Sequence, residues 1–127
     1  MKKILLIAIT LLFVTTLAAC SKEYTDISNE ELIQMLESDI DYYFIDVRTL
    51  DEYYNERIPG FSINYDFYIF EGNYSLLDGL DTSKPVVIMC NSGNRSVDAS
   101  NIFIEIGFTE VYNLKNGIEG WDGETIN

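Results

Sequence analysis

The chain has 127 residues, 47% of them hydrophobic, with 21 acidic groups, 8 basic ones and a net charge of −13. That is one domain with enough apolar material for a core, which argues against disorder, and with too little positive charge to displace counterions from nucleic acid. Histidine is absent, which excludes Ser-His-Asp triads, Cys-His dyads and imidazole-ligated zinc and leaves two cysteines to carry unusual chemistry.

Lys2 and Lys3 precede an apolar run from Ile4 to Val14, broken only by Thr10, that resumes at Leu17 and stops at Cys20. The 16 residues from Ile4 to Ala19 fall short of the roughly 20 a spanning helix needs. A basic head, a short apolar stretch and small residues at its end describe a secretory signal, with an uncleaved anchor helix as the alternative. Leu17-Ala18-Ala19-Cys20 resembles the lipobox of bacterial lipoproteins. The resemblance implies cleavage before Cys20 and a diacylglycerol on its sulfur, which makes the bilayer a partner through burial of acyl chains. Residues 1–19 are then a removed signal peptide, 20–24 a lipid-anchored tether, and 25–127 the folded domain. The protein is expected outside the cytoplasm, on a periplasmic or cell-surface face. Loss of the two signal lysines leaves 108 residues at −15.

Ser28-Asn-Glu-Glu31 reads as a capping box, and Leu32, Ile33 and Leu36 recur at helical spacing, which predicts a helix over 29–37. The apolar run Tyr42–Val47 suits a strand covered on both faces. Thr49 to Glu52 offers a second capping box, opening a short helix through Asn55. Ile58-Pro59-Gly60 is a turn, and Phe61 to Ile63 a short strand. Tyr65, Phe67, Tyr68, Phe70 and Tyr74 either rim a cleft or, as is commoner in small domains, fill the core. A helical turn is expected over Ser75–Leu80. Pro85–Cys90 is the clearest strand, short, β-branched and apolar, and so central. Arg95–Ile106 reads as an amphipathic helix closed by Gly107 in a left-handed cap. Glu110–Leu114 is another strand, Asn116-Gly117 a turn, and Ile118–Trp121 the start of a last helix. Strands alternating with helices predict an α/β fold with a parallel sheet between helical layers.

Cys90-Asn91-Ser92-Gly93-Asn94-Arg95-Ser96 joins the central strand to the following helix. A cysteine ending an apolar strand is ordinarily a small buried hydrophobe. Here it stands at the carboxyl edge of the sheet, where α/β folds bind ligands, at the start of a helix whose N–H groups favour anions and a thiolate. Gly93 lets the loop curl. Arg95 either meets a bound anion or pins the loop. Asp46, beside Arg48 at the end of the earlier strand, is a general base or, on the blander view, half of an ion pair organising nearby loops. Asp78 and Asp81 lack the spacing of a calcium loop, and no metal or cofactor is expected.

The segment from Cys90 to Ser96 resembles the active-site loop of rhodanese-type sulfurtransferases. Phe44-Ile45-Asp46-Val47-Arg48-Thr49 with Glu52-Tyr53, then Ile58-Pro59-Gly60, then Asn113 to Gly117 with Trp121, resemble further motifs of that family, in its order. The resemblance implies a rhodanese-like fold, a five-stranded, mainly parallel sheet flanked by helices on both faces. It also implies that Cys90 carries sulfane sulfur as a persulfide, from a small-molecule or protein-borne donor to a thiol or cyanide. Asn91, Ser92, Gly93, Asn94, Arg95 and Ser96 would line the substrate, with Asp46 and Arg48 as structural support. Arg57 stands where the family usually has histidine. Related cysteine phosphatases have five residues between Cys and Arg, whereas this loop has four, Asn91 to Asn94. A monomer is expected. A domain this acidic repels an anionic donor such as thiosulfate rather than steering it in, so a neutral or protein-borne persulfide stands at least level with thiosulfate as donor. The alternative is a rhodanese-fold module that binds a partner or senses oxidants without turnover.

Overall fold

The computed structural model describes residues 23–127; the expected signal peptide, Cys20 and the start of the expected tether lie outside them. Among the described residues no helix is long and apolar enough to cross a membrane.

Five strands, β1 (Tyr24–Ile27), β2 (Tyr43–Asp46), β3 (Ile63–Asn64), β4 (Val86–Met89) and β5 (Val111–Leu114), form one sheet in the order β1-β5-β4-β2-β3. Every pairing is parallel, so all carboxyl ends lie along one edge. β4 is central and wholly buried, as its apolar run requires. Its side chains alternate between two cores. Val86, Ile88 and Cys90 face Phe67, Phe70, Ala99 and Phe103, whereas Val87 and Met89 face Leu32, Ile58, Phe61 and Leu114.

Helix α1 (Asn29–Glu37) starts at a complete Ser28/Glu31 capping box, and α2 (Leu50–Asn55) at a complete Thr49/Glu52 box. Both match the sequence expectation because each cap is closed within four residues. α3 is a single turn, Phe67–Phe70, capped by Asp66, and a 3₁₀ turn follows at Tyr74–Leu77. α4 (Asn94–Glu105) begins one residue earlier than expected, and Gly107 follows it at φ 115°.

Three expectations change. β1, which occupies Tyr24 at the expected end of the tether, was not foreseen: it buries only Ile27, too little for an alternating pattern to show. The aromatic segment divides, with Phe67 and Phe70 in the core and Tyr68 60% exposed. The last helix is only a 3₁₀ turn over Ile118–Gly120. Beyond it the chain departs to form an antiparallel bridge, Arg57 N–H donating to the Ile126 carbonyl at 2.8 Å and Ile126 N–H to the Arg57 carbonyl at 2.9 Å.

Candidate functional site

The turn from β4 into α4 holds the thiol. Cys90 is the one free cysteine among the described residues, and it is 1% exposed. Gly93 N–H donates to its Sγ at 3.1 Å, and Ser96 Oγ lies 3.3 Å from the sulfur. Ser96 is itself buried, and the Ser100 hydroxyl donates to its carbonyl at 2.6 Å. With the sulfur as thiolate, the Ser96 hydroxyl and the Gly93 amide both donate to it at the positive end of α4.

Two glycines make this turn possible. Gly93 caps α4 at φ 101°, and a Cβ there would strike the carbonyl of Lys115. Gly117, at φ 61°, lies against the carbonyls of Cys90 and Asn91, where no Cβ fits. Close approach lets Ile118 N–H donate to the Cys90 carbonyl and Glu119 N–H to the Asn91 carbonyl, both at 2.9 Å. The segment after β5 therefore clasps the loop from outside, a contact that reading Asn116-Gly117 as a plain turn had not suggested.

Of the other loop residues, the Asn91, Ser92 and Asn94 side chains are exposed around the thiol. Arg95 is paired within the protein. Its Nη1 and Nη2 donate to Glu52 Oε2 and Oε1 at 2.8 and 2.9 Å, and its guanidinium lies 5.5 Å from the ring centre of Tyr68. The fork-to-fork pair ties α4 to α2 and offsets the one positive charge of the loop. In the sequence Glu52 was visible as a cap and as part of the Glu52-Tyr53 motif, with nothing to mark its pairing with Arg95. Its Oε2 also accepts from Thr49 N–H at 2.9 Å and Thr49 Oγ1 at 3.0 Å.

Chiefly because of the Arg95 hydrogen bond, with the Thr49 contacts helping against some burial, the Glu52 carboxyl is lowered from 4.5 to about 2. A carboxylate depressed on folding contributes stability that is complete above its unfolded value and fades as pH falls from about 4.5 toward about 2. Urea unfolding at pH 6 and at pH 3 is expected to show a larger acid loss for wild type than for Glu52→Gln. Equal losses would remove this pair from the account.

Asp46 and Arg48 stand behind the loops. Asp46 is 0% and Arg48 4% exposed. Asp46 Oδ1 accepts from Arg48 N–H at 2.9 Å, and its Oδ2 accepts from Nη2 at 2.7 Å, with Nε 3.1 Å from both oxygens. Arg48 Nη2 also donates to the Glu56 carbonyl at 2.6 Å, and Asn64 Nδ2 bridges the carbonyls of Asp46 and Arg48. Both carboxylate oxygens are occupied, the geometry of a brace between β2, α2 and β3.

The description "Rhodanese-like domain" fits residues 28–124. A thiosulfate sulfurtransferase, GlpE of Glaesserella parasuis, is 28% identical over 99 residues, spanning 77% of this chain and 86% of its own. A putative sulfurtransferase of Bacillus subtilis, YtwF, is 34% identical over 104 residues, 81% of this chain and 95% of its own. In three dimensions, a rhodanese-related protein of Thermoplasma volcanium superposes with a TM-score of 0.67 at 23% identity, covering 81% of this chain and 98% of that one. The last likeness concerns the fold alone.

Proposed function

The chain belongs to the rhodanese-like domain family, and from that premise we propose that it is a sulfurtransferase in which Cys90 is the sulfur carrier. The observation that carries the reading is the Cys90 sulfur held between the Gly93 amide and the Ser96 hydroxyl at the start of α4. The Cys90 thiolate attacks the outer sulfur of a donor persulfide, R–S–SH. A sulfur–sulfur bond forms to Cys90 as the donor's own breaks, and the donor leaves as a thiolate. A thiol or cyanide acceptor then attacks the outer sulfur of the Cys90 persulfide and restores the thiolate. No net oxidation occurs in either half. Asn91, Ser92 and Asn94 border the path to the sulfur, while Gly93, Ser96 and the peptide dipoles of α4 stabilise the negative charge that each step moves onto it.

The naming of GlpE relatives as thiosulfate sulfurtransferases supports the chemistry. The charge argues for a different donor, since −13 is spread over the chain and Arg95 is occupied by Glu52. Incubation with thiosulfate, polysulfide or glutathione persulfide, followed by peptide mass spectrometry, is expected to add one sulfur to the Cys90 peptide, removable by cyanide or dithiothreitol. No adduct from any donor would leave the family's fold serving as a binding or oxidant-sensing module.

We also propose that the domain is displayed outside the cytoplasm on a lipid anchor at Cys20, supported by the basic head, short apolar run and Leu-Ala-Ala-Cys ending. Labelled palmitate is expected in wild type and absent from Cys20→Ala; equal labelling would overturn the anchor.

A further inference from the structure

The carboxyl edge of the sheet carries a second feature that the Cys90 chemistry does not use. Leu50 on α2, Ile69 on α3 and Leu76 in the 3₁₀ turn are 54%, 62% and 46% exposed, and they line one groove of about 270 Å³ floored by Phe70. Large apolar side chains gathered in this way on a domain surface mark a contact site. The elements that build the groove also touch the helix that follows the thiol loop. Tyr68, next to Ile69, lies against the Arg95 guanidinium, and α2 carries both Leu50 and the Glu52 that binds Arg95.

Charge limits what can occupy it. Asp66 lines the groove, and Asp51 and Glu71 flank it in sequence, exposed and outside every ion pair among the described residues. Arg95 is paired with Glu52 and Arg48 with Asp46. An anionic small molecule finds no charge to meet here, and neither does an acidic lipid surface. A segment combining apolar with basic residues finds both complements. The Cys90 sulfur, 1% exposed, is also out of reach of a flat surface and needs a protruding donor group.

Building on the sulfurtransferase reading, we propose that the Leu50–Ile69–Leu76 groove docks a protein partner that presents a cysteine persulfide or thiol on a protruding segment rich in apolar and basic residues. The apolar anchors fill the groove, the basic residues face Asp51, Asp66 and Glu71, and the partner's sulfur enters past Asn91 and Ser92 to Cys90. In the loading direction the Cys90 thiolate takes the outer sulfur of the partner persulfide, and the partner departs as a thiolate.

The test compares three donors on the full chain: a synthetic peptide persulfide with flanking leucines and lysines, the same peptide with glutamates for lysines, and glutathione persulfide. The leucine-lysine peptide is expected to load Cys90 with a kcat/KM about tenfold above either other donor, an advantage that shrinks as salt rises. In Ile69→Ala/Leu76→Ala, which trims two exposed side chains, the leucine-lysine peptide loses about tenfold while glutathione persulfide is unaffected. Equal rates for the three donors, or a parallel change with glutathione persulfide, would overturn the docking groove and leave the sulfur chemistry standing. If no donor loads Cys90, the sulfurtransferase reading fails, and fluorescence anisotropy of the cysteine-to-serine leucine-lysine peptide decides the groove by itself. Binding that the double variant weakens about tenfold upholds it, and absence of binding overturns it.

Discussion

Cys90→Ser is expected to abolish sulfur loading, by on the order of a thousandfold or more, in a protein that still folds. In the proposed reaction the sulfur is the atom that forms and breaks the bond, and a serine oxygen in its place is a far weaker nucleophile with no route to a stable persulfide. The substitution is nearly isosteric in a buried site. The new hydroxyl finds the same neighbours, the Gly93 amide and the Ser96 oxygen, so thermal unfolding is expected to shift little. Peptide mapping reads the result at one residue, which keeps it clear of any adduct on Cys20. Sulfur that persists on the Cys90→Ser protein at the wild-type rate would place the chemistry elsewhere.

The second large effect falls on stability. Asp46→Ala leaves the Arg48 guanidinium buried with its carboxylate gone and only the Glu56 carbonyl among its named acceptors. Breaking a buried ion pair from one side costs about 3–5 kcal/mol. For a domain of this size that is roughly 10–20 °C in Tm. The same charge is harmless once removed, so Asp46→Ala/Arg48→Met is expected to lose less than Asp46→Ala alone. Thermal unfolding of the wild type and both variants gives the comparison. A single variant that melts within about 3 °C of wild type would show that the brace contributes little.

The two variants also divide what could be read along the chain from what could not. Both capping boxes, the apolar run of β4, the Cys90 turn and the Asp46–Arg48 pair were legible, because each is written within a few consecutive residues. The parallel sheet followed from the alternation of strand and helix. β1 escaped because an edge strand with one buried residue has no periodicity to detect. The role of Arg95 stayed open between two choices, since its partner lies 43 residues away. Glu52 declared itself as a local cap and as a motif residue beside Tyr53, and nothing along the chain marked its pairing with Arg95. The clasp by Ile118 and Glu119 was hidden for the same reason: the amides that hold the Cys90 turn come from beyond β5, and a helix-like pattern there suggested continuation instead of a dock. Tyr68 could not be told apart from Phe67 and Phe70, its neighbours on a single turn, which point inward while it does not. Such a short turn has too few residues to display which way it faces.

The position of that clasp has a consequence for biogenesis. β1 is the first strand in sequence, yet its one sheet neighbour is β5, where Tyr24 pairs with Val111 and Ile27 with Leu114. A chain that emerges from its amino end cannot seat its first strand until nearly the last strand has been made, and closure across such a sequence distance is slow. The Cys90 turn waits still longer, because its carbonyls are gripped by amides that follow β5. The Cys90 turn is thus complete only once the segment beyond β5 is in place, and a nascent chain that stops short of it lacks the two amides that hold the turn.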